Sequence, residues 1–154
     1  MVAMTTRISG IDDLENRVGT HLGYSEWHAI SQDQIQLFAD ATGDQQWIHT
    51  DPERAAAGPF GYAIAHGYLT LSLAPALLAE AMVVENVAMG VNYGCNKVRF
   101  TSPVPVGSRV RLGVELEDVQ RFDGGAQYVS KLTFEIHGSE RPACVAEVIY
   151  RVYA

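Results

Sequence analysis

Apolar and polar positions divide this chain into a helical N-terminal half and a strand-forming C-terminal half. From Ser31 the spacing is helical. Ile35, Phe38, Ala39 and Thr42 fall at i, i+3, i+4 and i+7, with Gln32, Asp33, Gln36 and Asp40 on the solvent side. Ser31 followed by Gln34 is a capping-box start, and Gly43 supplies the stop. Upstream, Asp12 to Val18 predicts a short helix and Tyr24 to Ile30 an extended segment. Downstream, a loop from Asp44 to His49 leads to a second start signal. Asp51 places a capping carboxylate before Pro52 at the first helical position, so Pro52 to Ala57 predicts another short helix.

Leu69 to Val84 is apolar almost all round, interrupted by Glu80. It predicts a helix buried on most sides, kinked or broken at Pro75. The 25 residues from Ala55 to Ala79 carry no Asp, Glu, Lys or Arg, but Gly58, Pro59, Gly61 and Gly67 mark a loop before a core helix rather than a membrane span. From Val87 onward the period shifts toward two. Arg109, Arg111, Glu115 and Glu117 alternate with Val110, Leu112, Val114 and Leu116, and Lys131, Thr133 and Glu135 with Leu132, Phe134 and Ile136. Asp123-Gly124-Gly125 and Gly138 to Pro142 mark turns, and Ala143 to Tyr153 completes the set. Three long antiparallel strands give a sheet with one wet and one dry face. The dry face needs a cover, and the apolar helix supplies it. The pattern therefore predicts an α+β fold, an antiparallel sheet wrapped around a buried helix, with residues 1–154 as one domain.

Composition narrows the function classes. A chain of 154 residues can bury a core without a disulfide or metal staple. A net charge of −7 argues against nucleic acid and membrane surfaces as partners. The two cysteines, Cys95 and Cys144, form no CxxC pair, which fits a reducing cytoplasm rather than a zinc site. Met1 to Arg7 holds no apolar leader core. No GxxxxGK[ST], GxGxxG or GxSxG occurs, and the five histidines form no HxxxH pair.

What remains is Asp44 and His49, with Ala65-His66-Gly67 before the apolar helix. A carboxylate and an imidazole five positions apart can converge on one water if the loop curls. Gly67, at a buried helix start, offers a backbone N–H without an intrahelical partner, and such a donor can hold an oxyanion. Each residue also has a plainer role. Asp44 suits an Asx-turn, His49 a helix cap, Gly67 a turn, and His66 a satisfied position in a loop.

The run Phe38-Ala-Asp-Ala-Thr-Gly-Asp44-Gln-Gln-Trp-Ile-His49-Thr-Asp51-Pro52, followed by Ile64-Ala-His66-Gly67-Tyr-Leu, resembles the MaoC-like dehydratases, or R-specific enoyl-CoA hydratases. Asn92-Tyr93-Gly94 and Arg99-Phe100 with Pro103-Val104-Pro105-Val106-Gly107 extend the likeness, which runs from about Ser31 to Val110. In detail it resembles the branch that includes nodulation protein N. The family pattern has Asn and Pro where this chain has Gln46 and Trp47, and some members have a serine where it has Pro75.

The resemblance implies the hot-dog fold and hydration of a trans-2-enoyl thioester to a (3R)-3-hydroxyacyl thioester. It implies Asp44 and His49 as the catalytic pair, the Gly67 backbone as oxyanion donor, and Gln46, Trp47, His66, Asn92, Lys97 and Arg99 around the substrate. No metal or redox cofactor is implied, coenzyme A being part of the substrate. A hot-dog thioesterase and a non-catalytic acyl-CoA-binding subunit are the alternatives. The expected partners are an acyl-CoA or acyl carrier protein thioester and a second copy of the chain, because a sheet around one helix leaves an edge strand open. Arg54, Lys97, Arg99, Arg109 and Arg111 are candidates for the anionic CoA tail, or else solvated charges on the strand faces.

Overall fold

In the computed structural model, which describes residues 3–154, the elements run β1 (Thr6–Ile8), α1 (Ile11–Asn16), β2 (His21–Tyr24), β3 (His28–Ala29), α2 (Gln32–Thr42), α3 (Trp47–Thr50), α4 (Pro52–Ala56), α5 (Gly67–Ser72), α6 (Ala74–Ala81), β4 (Met82–Val84), β5 (Met89–Arg99), β6 (Arg109–Phe122), β7 (Gly125–Ile136) and β8 (Cys144–Tyr153). Met1 and Val2, where the N-terminal stretch begins, lie outside the described residues. Both expected helix starts are present. The Ser31 hydroxyl accepts the Gln34 N–H at 3.1 Å, and the Asp51 carboxylate accepts the Arg54 N–H at 3.1 Å.

Several segments depart from their sequence pattern. The Tyr24 to Ile30 stretch is split between the end of β2 and the two-residue β3, both paired to β6. His49 sits in the helical turn α3 instead of a loop. The apolar stretch is two helices and a strand rather than one helix. Pro75 has no N–H for the Leu71 carbonyl, so the helix breaks between α5 and α6. Met82 to Val84 then leaves the helix to pair in parallel with β1, Thr6 opposite Met82 and Ile8 opposite Val84.

The large sheet has the order β2-β6-β7-β8-β5, with β3 also on β6. It holds four long strands, not three. The extra one, β5, is a mostly exposed edge strand with two register shifts against β8, so its sequence carries no clean alternation. The other three keep the expected wet and dry faces. Helix residues Leu69, Ala74, Leu77 and Ala81 share one buried cluster with Leu112, Val114, Leu132, Phe134, Ala146 and Val148 of the sheet.

One short pairing fixes the start of α5. Ala65 N–H bonds to the Val104 carbonyl and Val106 N–H to the Ala63 carbonyl, both at 2.9 Å. The segment before α5 is thereby laced to the segment before β6.

The hairpin after β6 turns on Asp123 and Gly124, while Gly125 already belongs to β7. A Cβ on Gly125 would lie 2.1 Å from the Val152 carbonyl oxygen. Gly125→Ala is therefore expected to push β7 off β8 and cost about 1–3 kcal/mol, the usual range for overpacking. Urea denaturation checks this as a lower midpoint with an unchanged slope.

Candidate active site

Gly43 ends α2 with φ at 85° and bonds its N–H to the Ala39 carbonyl at 2.8 Å, which turns the chain outward at Asp44. Asp44 is exposed, and its Oδ1 accepts the Gln46 N–H at 3.3 Å in an Asx-turn. The next turn, α3, carries His49 inward until only 7% of it is exposed. Two contacts fix its backbone neighbourhood. Gln32 Nε2 donates to the His49 carbonyl at 2.7 Å, and Ile64 N–H donates to the Ile48 carbonyl at 3.0 Å.

The ring of His49 is fixed by chemistry as well as packing. Its Nδ1 lies 2.7 Å from the Ile64 carbonyl oxygen, which can only accept. The ring proton therefore sits on Nδ1, and Nε2 carries a lone pair. Burial pushes the His49 pKa down, the Ile64 bond pulls it up, and nearby His66 lowers it further. The net direction is below the ordinary 6.5, so the ring is neutral at pH 7.

His66 packs face to face on His49, with ring centroids 3.9 Å apart and planes 24° apart, and Phe38 lies 4.9 Å from it. It is 2% exposed, and its Nε2 donates to the Asp44 main-chain carbonyl at 3.0 Å. The expectation of a satisfied loop histidine holds for that nitrogen alone. Nδ1 is buried with no hydrogen-bond partner.

Gly67 opens α5 beside the ring of Phe100, where an added Cβ would lie 2.9 Å from ring carbons. Glycine is needed for this contact. A cavity of about 260 Å³ is bounded here by His49, Phe60, Gly67, Thr70, Phe100 and Val104. One ring nitrogen from each histidine and a carboxylate oxygen of Asp44 lie within 4.8 Å of one another. These are donor types that a divalent cation takes. Rings stacked face to face, however, direct their in-plane lone pairs alongside each other rather than at one point.

Asp44, His49, His66 and Gly67 are thus brought together; of the other expected residues Gln46 touches them through its backbone, and the rest make no such contact. Gln46 is exposed at the start of α3. Trp47 packs on Gly58, where an added Cβ would sit 2.8 Å from the indole, and under the Arg54 guanidinium at 4.4 Å. Asn92 borders cavities with Pro75 and Tyr150 beside β5. Lys97 and Arg99 line a hollow with Thr101, Lys131 and Glu147. Arg111 pairs with Glu135 at 2.6 Å, and Arg109 reaches His137 at 3.2 Å.

Residues that the sequence pattern passed over support the site. The helical periodicity assigned Gln32 to solvent, yet its amide tethers His49 and its Oε1 is buried. Ile64 contributes through its carbonyl, a role that carries no side-chain signal. Phe100 contributes through ring contact with Gly67. Together the four central residues offer a carboxylate, an imidazole lone pair and a helix-start N–H, the parts that move a proton beside a developing oxyanion.

Comparison with known proteins places this architecture. The family described as MaoC like domain matches residues 13–135. The 3-hydroxyacyl-thioester dehydratase Z of Mycobacterium tuberculosis (strain ATCC 25618 / H37Rv) is 52% identical over 145 residues, 94% of this chain and 96% of that protein. Nodulation protein N of Rhizobium leguminosarum bv. viciae is 48% identical over 141 residues, 89% of this chain and 87% of that protein. Among solved structures, the monoamine oxidase regulatory protein from Archaeoglobus fulgius superposes with TM-score 0.79 over 97% of each chain at 23% identity. The (R)-hydratase from A. caviae gives TM-score 0.71 at 25% identity over 86% of this chain and 94% of its own. With the sheet-wrapped helix and the matched family span, the chain belongs to the MaoC-like dehydratase family, as a hydro-lyase of hot-dog fold.

Proposed function

We propose that the protein adds water across trans-2-enoyl thioesters of coenzyme A or acyl carrier protein, giving (3R)-3-hydroxyacyl thioesters, and catalyses the reverse dehydration. The observation that carries this is the buried His49, held with its lone pair on Nε2 and close to the Asp44 carboxylate. Support comes from the relative named a 3-hydroxyacyl-thioester dehydratase and, for the R configuration, from the structural neighbour named an (R)-hydratase. Residues 1–154 are taken as one such domain, and the buried cluster that joins Ile8 to Val152 supports this. The free thiols of Cys95 and Cys144 fit a cytoplasmic setting.

The thioester carbonyl accepts the Gly67 N–H, where enolate charge builds as C3 is attacked. Asp44 takes a proton from the attacking water while His49 Nε2 holds that water in place. Water oxygen bonds to C3, the C2=C3 double bond is lost, and the proton returns to C2 from the pair. The conjugated thioester makes C3 electrophilic by itself, so these steps call on no metal or redox cofactor. No helix among the described residues is long and apolar enough to cross a membrane.

Crotonyl-CoA tests the activity. Loss of enoyl absorbance without thiol release is expected, and thiol release would mean a thioesterase instead. In the same assay Asp44→Asn should cost about 10²–10⁴ in kcat with its melting temperature kept. Asparagine retains the acceptor that Gln46 N–H uses, so the turn survives while the base is lost. The double variant with His49→Ala should be about as slow as the worse single variant, because either loss already misplaces one shared water.

The direction of the His49 shift sets a pH dependence. Below its folded pKa, Nε2 is protonated and its lone pair is lost. That pKa is lowered from 6.5, so kcat/KM should hold at pH 6.5 and fall only at more acidic values.

We also propose a homodimer formed across β5. This edge strand is eleven residues long and exposes Met89, Val91 and Tyr93, the kind of edge that pairs with another chain. Light scattering should give twice the 16.8 kDa chain mass at micromolar concentration. Asp substituted at Val91 should shift the protein toward the monomer.

A further inference from the structure

His66 does not border the cavity beside Gly67, and nothing in the hydration steps uses it. Its position is nonetheless costly. A ring nitrogen lies buried without a donor at a place where a phenyl ring would pack with no such loss. What the imidazole gains in return is two contacts to two different residues. Its Nε2–H reaches the Asp44 main-chain carbonyl, and its face covers the His49 ring. Phe38 also packs on it, tilted, with ring centroids 4.9 Å apart, so the ring contacts both α2 and α3.

We infer that His66 is a positioning residue that clamps Asp44 and His49 into one register. The clamp has two separable parts. The Nε2–H bond takes the Asp44 main-chain carbonyl and so ties to the core an exposed turn whose own Asp44 side chain makes one long contact, to the Gln46 N–H. The stacked ring covers one face of His49 and keeps water off it. Asp44 and His66 are the titratable groups that face His49, and the first favours its cationic form while the second opposes it.

Side-chain geometry allows each part to be removed alone. A glutamine amide places an N–H near the position of an imidazole Nε2 but has no ring. A phenylalanine keeps the ring but has no donor. His66→Gln should therefore retain the tie to Asp44 and uncover His49, lowering kcat about 10-fold and moving the acidic limb of kcat/KM to higher pH. His66→Phe should hold the limb in place and lower kcat about 10-fold or more through the loosened Asp44 turn, with KM within about 3-fold of the parent. The melting temperature of the phenylalanine variant should not drop, since the unpartnered nitrogen has gone.

A purely structural role predicts losses that follow melting temperature and leave the pH limb unmoved. Both variants within about 2-fold of the parent kcat, with unmoved limbs, would overturn the clamp. If the glutamine variant does not fold, the phenylalanine variant decides alone. The role rests on Asp44 and His49 being the reacting pair. Full activity in Asp44→Asn and His49→Ala would sink that pair itself, whereas dead pair variants beside unimpaired His66 variants would sink only the clamp.

Discussion

A buried imidazole has two nitrogens, and the Ile64 carbonyl leaves only one of them open to chemistry. At 2.7 Å it claims the Nδ1 hydrogen of His49 and so presents a lone pair at Nε2. Much of the local structure serves that bond. Ile64 must be held, and it is, through its own N–H to Ile48 and by the pairing of Ala63 and Ala65 with Val106 and Val104. The His49 backbone must be held, and Gln32 holds it from the first turn of α2. Burial then keeps the ring neutral, because charging it away from water is unfavourable.

The helix that starts beside this ring is constrained at both ends. At Gly67 the absence of a side chain lets the Phe100 ring approach, and the two residues line one cavity with His49. At Pro75 the missing N–H breaks the helix, letting α6 follow the curvature of the sheet over Leu112 and Val114. The switch into β4 at Met82 ties the end of the helix to the N-terminal strand. Cavity, kink and strand exchange are thus set by three local features along sixteen residues, Gly67 to Met82.

Charge on the outer sheet face is largely spoken for. Arg111 lies 4.0 Å from the Tyr24 ring centroid and pairs with Glu135, and Arg151 lies 3.7 Å from that of Tyr93. These guanidinium groups knit neighbouring strands through cation–π contacts. Lys97 and Arg99, near the Phe100 end of β5, are left beside Glu147 in a shallow hollow. On this acidic chain most of the sheet-face cations named here are thus already engaged with aromatic rings or carboxylates.

Elements that rest on local chemistry are legible in the order of residues. The Ser31 and Asp51 caps, the Gly43 stop, the break at Pro75 and the alternation of β6, β7 and β8 all follow from neighbours a few positions apart, and the resemblance drew attention to Asp44, His49 and Gly67 before the fold set His49 near both of the others. Other features needed partners that only the folded chain supplies. Met82 to Val84 reads as helix until β1 offers it backbone partners, and β5 shows no alternation because residues on both its faces are largely exposed and its register slips twice against β8. Trp47 stands where the family pattern has Pro and packs its ring on Gly58 and Arg54, and Gln32 leaves its polar helix face to reach His49. The tautomer of His49 depends on a carbonyl fifteen residues away, and the stacked His66 on a fold that brings α3 against the residue before α5. A backbone carbonyl has the same chemistry in every residue, so only the fold can say which one a histidine will meet.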